Sequence, residues 1–392
     1  MIEQGAFRER IEVLGRKRII PERLSEKAPI RHLDFSLLLA TLALGAVGVI
    51  AVWSATRPSL VALGADENQY LKRQLAFLAV ATVAFVITLL FDYRQLRGLS
   101  YLILAGGVFL LLIVFTPLGH STAGAQRWIN LGPFQMQPSE FIKIALIASL
   151  AALYADERRD QRAARLPIAL GLTAVPAFLI FLQPDLGTLM VFGASLLTVV
   201  LIAGTRARWI VLLLLTAVIV FILVLNVGLL KDYQVRRLTG WLDPESDPQR
   251  AGYNAAQSKI AVASGGLVGK GLFKGTQTNL DYVPEQHTDF IFTVIGEEAG
   301  FFGGAVVLSL FALIVWRAIR IAMLSKDNFG AILAAGIGGM FAFQVFVNIG
   351  MTVGIMPITG IPLPFISYGG SSLVASFTAV GLLMNVHMRR FV

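Results

Sequence analysis

WIVLLLLTAVIVFILVLNVGL, Trp209 to Leu229, contains no charged residue. Wound as a helix it is long enough to cross the ~30 Å hydrocarbon core of a bilayer. Backbone immersed in hydrocarbon has to satisfy its own hydrogen bonds, so such a run reads as a transmembrane helix. Working outward, comparable runs recur at 34–53, 74–91, 99–116, 137–154, 167–182, 188–204, 298–317, 329–352 and 370–387, giving ten spans. The composition agrees: 56% of residues are hydrophobic and 15% charged, and mean hydropathy is +0.72, far from a soluble domain. The expected fold is an all-α polytopic membrane protein of about ten transmembrane helices. A charged arm, 1–33, precedes a single ten-helix domain, 34–392, whose one large polar loop, 230–290, separates the seventh and eighth spans.

An even number of spans puts both termini on one side, and the basic residues say which. Arg8, Arg10, Arg16, Lys17, Arg18, Arg23, Lys27 and Arg31 crowd the arm, and alternate loops carry Arg94 and Arg97, Arg158 to Arg165, Arg206 and Arg208, Arg317 to Lys326, and Arg389 and Arg390. Positive residues close to span ends are retained in the cytoplasm. The termini are therefore expected in the cytoplasm, and the 230–290 loop on the extracytoplasmic side. The net charge of +9 is spread over these loops as a topology signal, which argues against nucleic acid as a partner. Cys is absent, and the four His are scattered, so neither disulfides, thiolate chemistry nor a dedicated zinc site is supported.

Chemistry-bearing residues concentrate near the polar loop. VPEQHTDFIFTVIGEE, Val283 to Glu298, packs Glu285, His287 and Asp289 ahead of an apolar segment. Asp289 there reads as a general base or as a helix N-cap, and Glu285 is the rival base. SGGLVGKGLFKG, Ser264 to Gly275, resembles a nucleotide-binding loop only superficially. Its backbone N–H groups, Lys270 and Lys274 are nonetheless suited to a lipid-linked diphosphate. Ala255 to Ala263 suits a short amphipathic helix with Lys259 outward. In AQRWINLGPFQMQP, Arg127 gains nothing from the topology rule and suits phosphate oxygens, whereas Trp128 also fits an interfacial anchor. Glu140 and Lys143 share a helix face inside a span, either as a structural ion pair or as the wall of a headgroup cavity. Asp185 in QPDLGT fits a helix cap, and Gln344 and Asn348 fit interhelical packing.

Four stretches together, Ser246–Gly304, Gly124–Leu146, Gln183–Thr188 and Met351–Ser372, closely resemble the shape, elongation, division and sporulation (SEDS) family. QSKIA followed by GKGLFKGTQ is similar to its elongation branch, although Asp281 stands where the division branch often has Glu. The resemblance implies a ten-span peptidoglycan glycosyltransferase that polymerises lipid II into undecaprenyl-diphosphate-linked glycan outside the cytoplasmic membrane, with Asp289 as its catalytic residue. It also implies a class B penicillin-binding protein transpeptidase as partner, within a complex of other elongation proteins.

Joining two lipid-linked sugars requires a base for the acceptor hydroxyl and cations for the diphosphates. Arg127, Lys143, Lys259, Lys270 and Lys274 are the candidate cations. The residues identify no cofactor; a divalent Mg or Mn ion suits diphosphate chemistry, but no ligand cluster shows one. Two other classes stay open: a flippase for lipid-linked precursors, which needs polar groups through the membrane depth, and a non-catalytic scaffold. Docking of the partner through membrane spans is expected, with the eighth and ninth favoured because Gly300/Gly304 and Gly336/Gly339 offer close helix approach.

Overall fold

The computed structural model describes residues 32–122, 125–130, 132, 134–156, 162–228, 234–235, 237, 241, 251–280 and 282–390. Each predicted span has its helix. In order these are α1 Phe35–Ala62, α2 Gln69–Leu90, α3 Tyr93–Ile113, α4 Pro138–Ala155, α5 Leu166–Leu182, α6 Leu186–Ile202 and α7 Ala207–Asn226. After the insertion helix α8, Ala251–Ser264, come α9 Ile291–Leu324, α10 Asn328–Thr352 and α11 Gly370–Arg389. Eight of them are long and apolar enough to cross a membrane, while α5 and α6 are shorter, at 17 residues each. The chain is a multi-pass membrane protein.

Burial sorts the helices. α4, α10 and α11 are buried on nearly every side, as central helices of a bundle are. α7 has no fully buried residue, so the stretch that most plainly announces a membrane fold touches the core only at its start, through half-buried Trp209, Ile210 and Leu213. Gly336 and Gly339 let α10 approach its neighbours: a Cβ would meet Ile147 Cγ2 at 2.6 Å and Thr198 Oγ1 at 2.4 Å, respectively. Gly304 faces Phe292, 3.2 Å from its ring. These glycines are consumed by packing within the chain, which removes the reason for assigning a partner to α9 and α10.

Several other expectations need correction. A three-stranded antiparallel sheet, β1 Gly119–Thr122, β2 Ala125–Asn130 and β3 Gln135–Met136, interrupts the otherwise helical fold. Its pairing of His120 with Trp128 and Ile129 with Met136 comes from chain reversals that helical periodicity does not reveal. The first span, expected to end at residue 53, runs on to Ala62 with Pro58 inside α1. Tertiary bonds hold that turn: Ser54 Oγ donates to Glu298 (2.5 Å), and Gln286 Nε2 donates to the Ala55 carbonyl (3.0 Å).

The largest departure is α9, which starts at Ile291 rather than 298 and breaks at Gly300. There φ is +64° and ψ −160°, a conformation essentially confined to glycine. The glycine-rich segment repairs the break. Lys270 and Gly271 N–H groups donate to the Glu297 and Glu298 carbonyls (both 3.0 Å), and Phe301 N–H donates to the Gly266 carbonyl (2.9 Å). A Cβ on Gly269 would lie 2.1 Å from the Glu298 oxygen. The Lys270 and Gly271 amides expected to cradle a diphosphate are thus spent on the broken helix.

Candidate active site

The chain alternates direction, so α1, α3, α5, α7 and α10 end, and α2, α4, α6, α9 and α11 begin, at the end of the bundle that carries the insertion. At that end three irregular segments converge on Asp289. The first is the catalytic-loop candidate itself, turned by Glu285 at φ +54° and closed by Thr288 and Phe290 N–H groups donating to the Glu285 carbonyl (3.1 and 3.4 Å). The second is the 357–370 loop: Ser367 Oγ donates to the Thr288 carbonyl (2.6 Å), and Tyr368 N–H donates to that of His287 (2.9 Å). Asn348 of α10 ties both together, its Nδ2 donating to the carbonyls of Asp289 (2.8 Å) and Ile361 (2.7 Å).

The third segment is the Gln183–Asp185 turn. Asp185 caps α6 as expected, accepting from Thr188 N–H (3.1 Å) and its hydroxyl (3.0 Å). Strand β2 delivers Arg127 onto this turn, where it donates to the Gln183 carbonyl (2.9 Å) and the Pro184 carbonyl, with a nitrogen 4.0 Å from Asp185. Gln234, at the start of the insertion, donates to the same Pro184 oxygen (3.4 Å). Beyond it Arg237 reaches the centre: Asp289 Oδ2 and an Arg237 Nη lie 3.2 and 3.4 Å from where a Gly360 Cβ would be. Glycine at 360, with φ +75°, leaves room for that pair.

Asp289 is not a helix cap. The capping position of α9 is Phe290, without a side-chain cap bond. Burial pushes the Asp289 carboxyl up to about 6; Arg237 opposes this, Glu285 and Asp185 add to it, and Arg127 opposes it more weakly. A carboxylate poised near neutrality is what a general base needs.

The remaining predicted residues divide. Glu285 is exposed, its carboxylate accepting from the Thr288 hydroxyl (3.2 Å). His287 sits in an aromatic group with Tyr70 and Tyr368, ring centroids 5.3 and 5.6 Å away. Lys143 and Glu140 form a buried pair (2.8 Å) in the first two turns of α4, each side chain 4% exposed. Trp128 is half-buried on β2. Lys270 lies apart from Asp289, paired with buried Glu297 (2.7 Å), which also accepts the N–H groups of Gln277 and Thr278 (both 2.9 Å). Lys259 is exposed on α8, its stem over Gly354, and Lys274 is exposed beside Gly271. Asp281 lies outside the described residues, as does most of 229–250. Among the described residues no group of three or more His, Cys, Asp or Glu side chains could hold a metal ion.

Arg237 and Asn348 escaped sequence reasoning as site residues. The signals existed: Arg237, like Arg127, is a basic residue that the topology rule does not explain, and Asn348 is a polar group placed at a cost inside a span.

The comparisons with known proteins agree with this architecture. The FtsW/RodA/SpoVE family model, described as a cell cycle protein, matches residues 35–391. Stage V sporulation protein E of Bacillus subtilis is 40% identical over 356 residues, covering 90% of this chain and 96% of that protein. Peptidoglycan glycosyltransferase MrdB of Escherichia coli K12 is 39% identical over 361 residues (92% and 94%). The probable peptidoglycan glycosyltransferase FtsW of Geobacter metallireducens is 38% identical over 366 residues (92% and 96%). The crystal structure of the rod shape determining protein RodA of Thermus thermophilus superposes with a TM-score of 0.67 at 30% identity, covering 91% of this chain and 97% of that one. A chain from a peptidoglycan synthase complex that coordinates polymerization and crosslinking gives 0.76 at 32% identity, covering 91% and 98%. Matched by the family model over residues 35–391 and by relatives at 38–40% identity over nearly their whole length, this chain belongs to the FtsW/RodA/SpoVE family of cell cycle proteins.

Proposed function

We propose that the chain is a peptidoglycan glycosyltransferase that polymerises lipid II, with Asp289 as the general base. The observation that carries this reading is the placement of the Asp289 carboxylate. It is half-buried, held by Asn348 through its own carbonyl, raised to about 6 by desolvation and flanked by Arg237. Asp289 takes the proton of the acceptor sugar hydroxyl as that oxygen attacks the anomeric carbon of the donor. The diphosphate-lipid leaves as a stabilised anion, so no paired acid is demanded. Arg237, Arg127 and Lys143 are the cations for the diphosphates at this end of the bundle. Lys259, Lys270 and Lys274 serve the insertion, Lys270 by anchoring it to Glu297.

In this reading 34–392 forms one domain, the 230–290 insertion is extracytoplasmic, and both termini are cytoplasmic. Alternate-loop arginines support that orientation. A class B penicillin-binding protein is the crosslinking partner, a reading supported by the likeness to a synthase complex that couples polymerization to crosslinking. The QSKIA and GKGLFKGTQ segments favour the elongation branch, which relatives at 38–40% identity do not separate from division and sporulation. The buried ion pairs lie near the two ends of the bundle, Lys143 with Glu140 at one and Arg317 with Asp34 at the other. This favours polymerisation over a flippase path through the membrane.

The test is lipid II polymerisation by the purified protein with its transpeptidase partner. Asp289→Asn should abolish glycan synthesis while the variant stays folded and bound to its partner. Glu285→Gln abolishing turnover where Asp289→Asn did not would transfer the base to Glu285. Headgroup translocation without polymerisation by the wild-type protein would install the flippase instead.

A further inference from the structure

At the opposite end of the bundle, α3, the end of α4 and the start of α5 line an open cavity of about 470 Å³. Arg94, Arg97, Gly98 and Tyr101 line it from α3, Asp156 from the end of α4, and Arg165 from the turn entering α5. Among the described lining residues, three guanidinium groups meet one carboxylate. Arg97 pairs with Asp156, and Arg94 reaches the Arg389 carbonyl at 3.5 Å while lying over the Tyr93 ring. Among the described lining residues the guanidinium groups outnumber the carboxylate. The topology rule explains arginines near this end of the bundle, but not their convergence around a hollow.

Two further features describe what the hollow suits. Gly98 has nothing within 4 Å of the position its Cβ would occupy, so the floor is open, and Tyr101 is 45% exposed, with a phenol able to donate to an acceptor. Beside the hollow, Leu99, Leu102 and Ile103 of α3 are 50%, 70% and 42% exposed, an apolar flank running toward the membrane centre. We infer that this cavity binds the phosphate of an anionic membrane lipid whose acyl chains lie along α3. Guanidinium forks match phosphate oxygens, and basic pockets between membrane helices are established headgroup sites. A soluble anion would use the arginines but leave the apolar flank without a role. The site is separate from Asp289 and does not depend on the proposed reaction.

Native mass spectrometry of the full-length protein, released from mixed phosphatidylglycerol and phosphatidylcholine vesicles, tests this. Wild type should retain phosphatidylglycerol selectively. Arg94→Gln with Arg97→Gln should cut that retention about thirtyfold, the factor expected for two basic residues at a membrane surface. Gly98→Leu fills the hollow without changing any charge or breaking the Arg97–Asp156 pair, and should cut retention comparably in a normally folded protein. Arg206→Gln with Arg208→Gln, which removes charge from the same end outside the cavity, should leave it unchanged. Retention that survives Gly98→Leu, or that falls equally with the Arg206/Arg208 variant, would overturn the site. Full displacement of phosphatidylglycerol by 10 mM inorganic phosphate would overturn its assignment to lipid.

Discussion

Replacing Arg237 with Met tests how the site tunes Asp289, the proposed base. Asp289 Oδ2 and the Arg237 nitrogen lie 3.2 and 3.4 Å from one point, the site of a Gly360 Cβ, so they are no more than about 7 Å apart. At that separation and an effective dielectric of ~20, the lost positive charge is worth roughly 2 kcal/mol, about 1.5 pH units. A base acts when deprotonated, so activity falls as pH drops through its ionisation. In the native protein that fall is centred on about 6; in the Met variant it should centre near pH ~7.5. At pH 7 the ionised fraction would drop from roughly nine-tenths to about a quarter, a loss of roughly fourfold that alkaline buffer restores above pH ~9. The assay is initial rate of lipid II polymerisation from pH 5 to 9.5 at saturating substrate. A uniform loss with an unmoved midpoint and a raised KM would refute the tuning argument and make Arg237 a substrate ligand only.

Three further outcomes are expected. Asp289→Asn should be more stable than wild type above pH ~6, by up to about 3 kcal/mol, because burial penalises the native carboxylate. Because the penalty builds as pH rises from the unfolded carboxyl's ~4 to the native value of about 6, the gain should all but vanish at pH ~4, and thermal melts at both pH values check the sign. Lys143→Met leaves Glu140 buried and unpaired and should cost about 3–5 kcal/mol. Adding Glu140→Gln should restore the melting temperature but not polymerisation, and recovered activity would reduce the pair to a structural role. Gly300→Ala places a Cβ 2.3 Å from the Gly269 nitrogen at positive φ, costing at least about 2 kcal/mol. Hydrogen exchange should show residues 264–275 losing protection first, and unchanged protection there would contradict their docking onto the broken helix.

What the sequence determined by itself follows from short-range physics. Runs such as Trp209–Leu229 must be helical in hydrocarbon whatever surrounds them, so the ten spans were legible one by one. Asp185 could be assigned as a cap because capping is local to a turn. Asp289 was singled out by its company in one short segment and by the family resemblance, and Arg127 because its charge had no topological use. Tertiary structure decided the rest. Whether a lysine faces a ligand or a carboxylate depends on residues far away in the chain, and Lys270 is held by Glu297, 27 positions on. The glycines at 336 and 339 looked free to receive a partner until the approach of Ile147 and Thr198 filled them. Arg237, Gly360 and Asn348 come from three separate segments, and no periodicity links them. Only folding brings them around one carboxylate, where the excluded water and the neighbouring charges set the value at which it ionises.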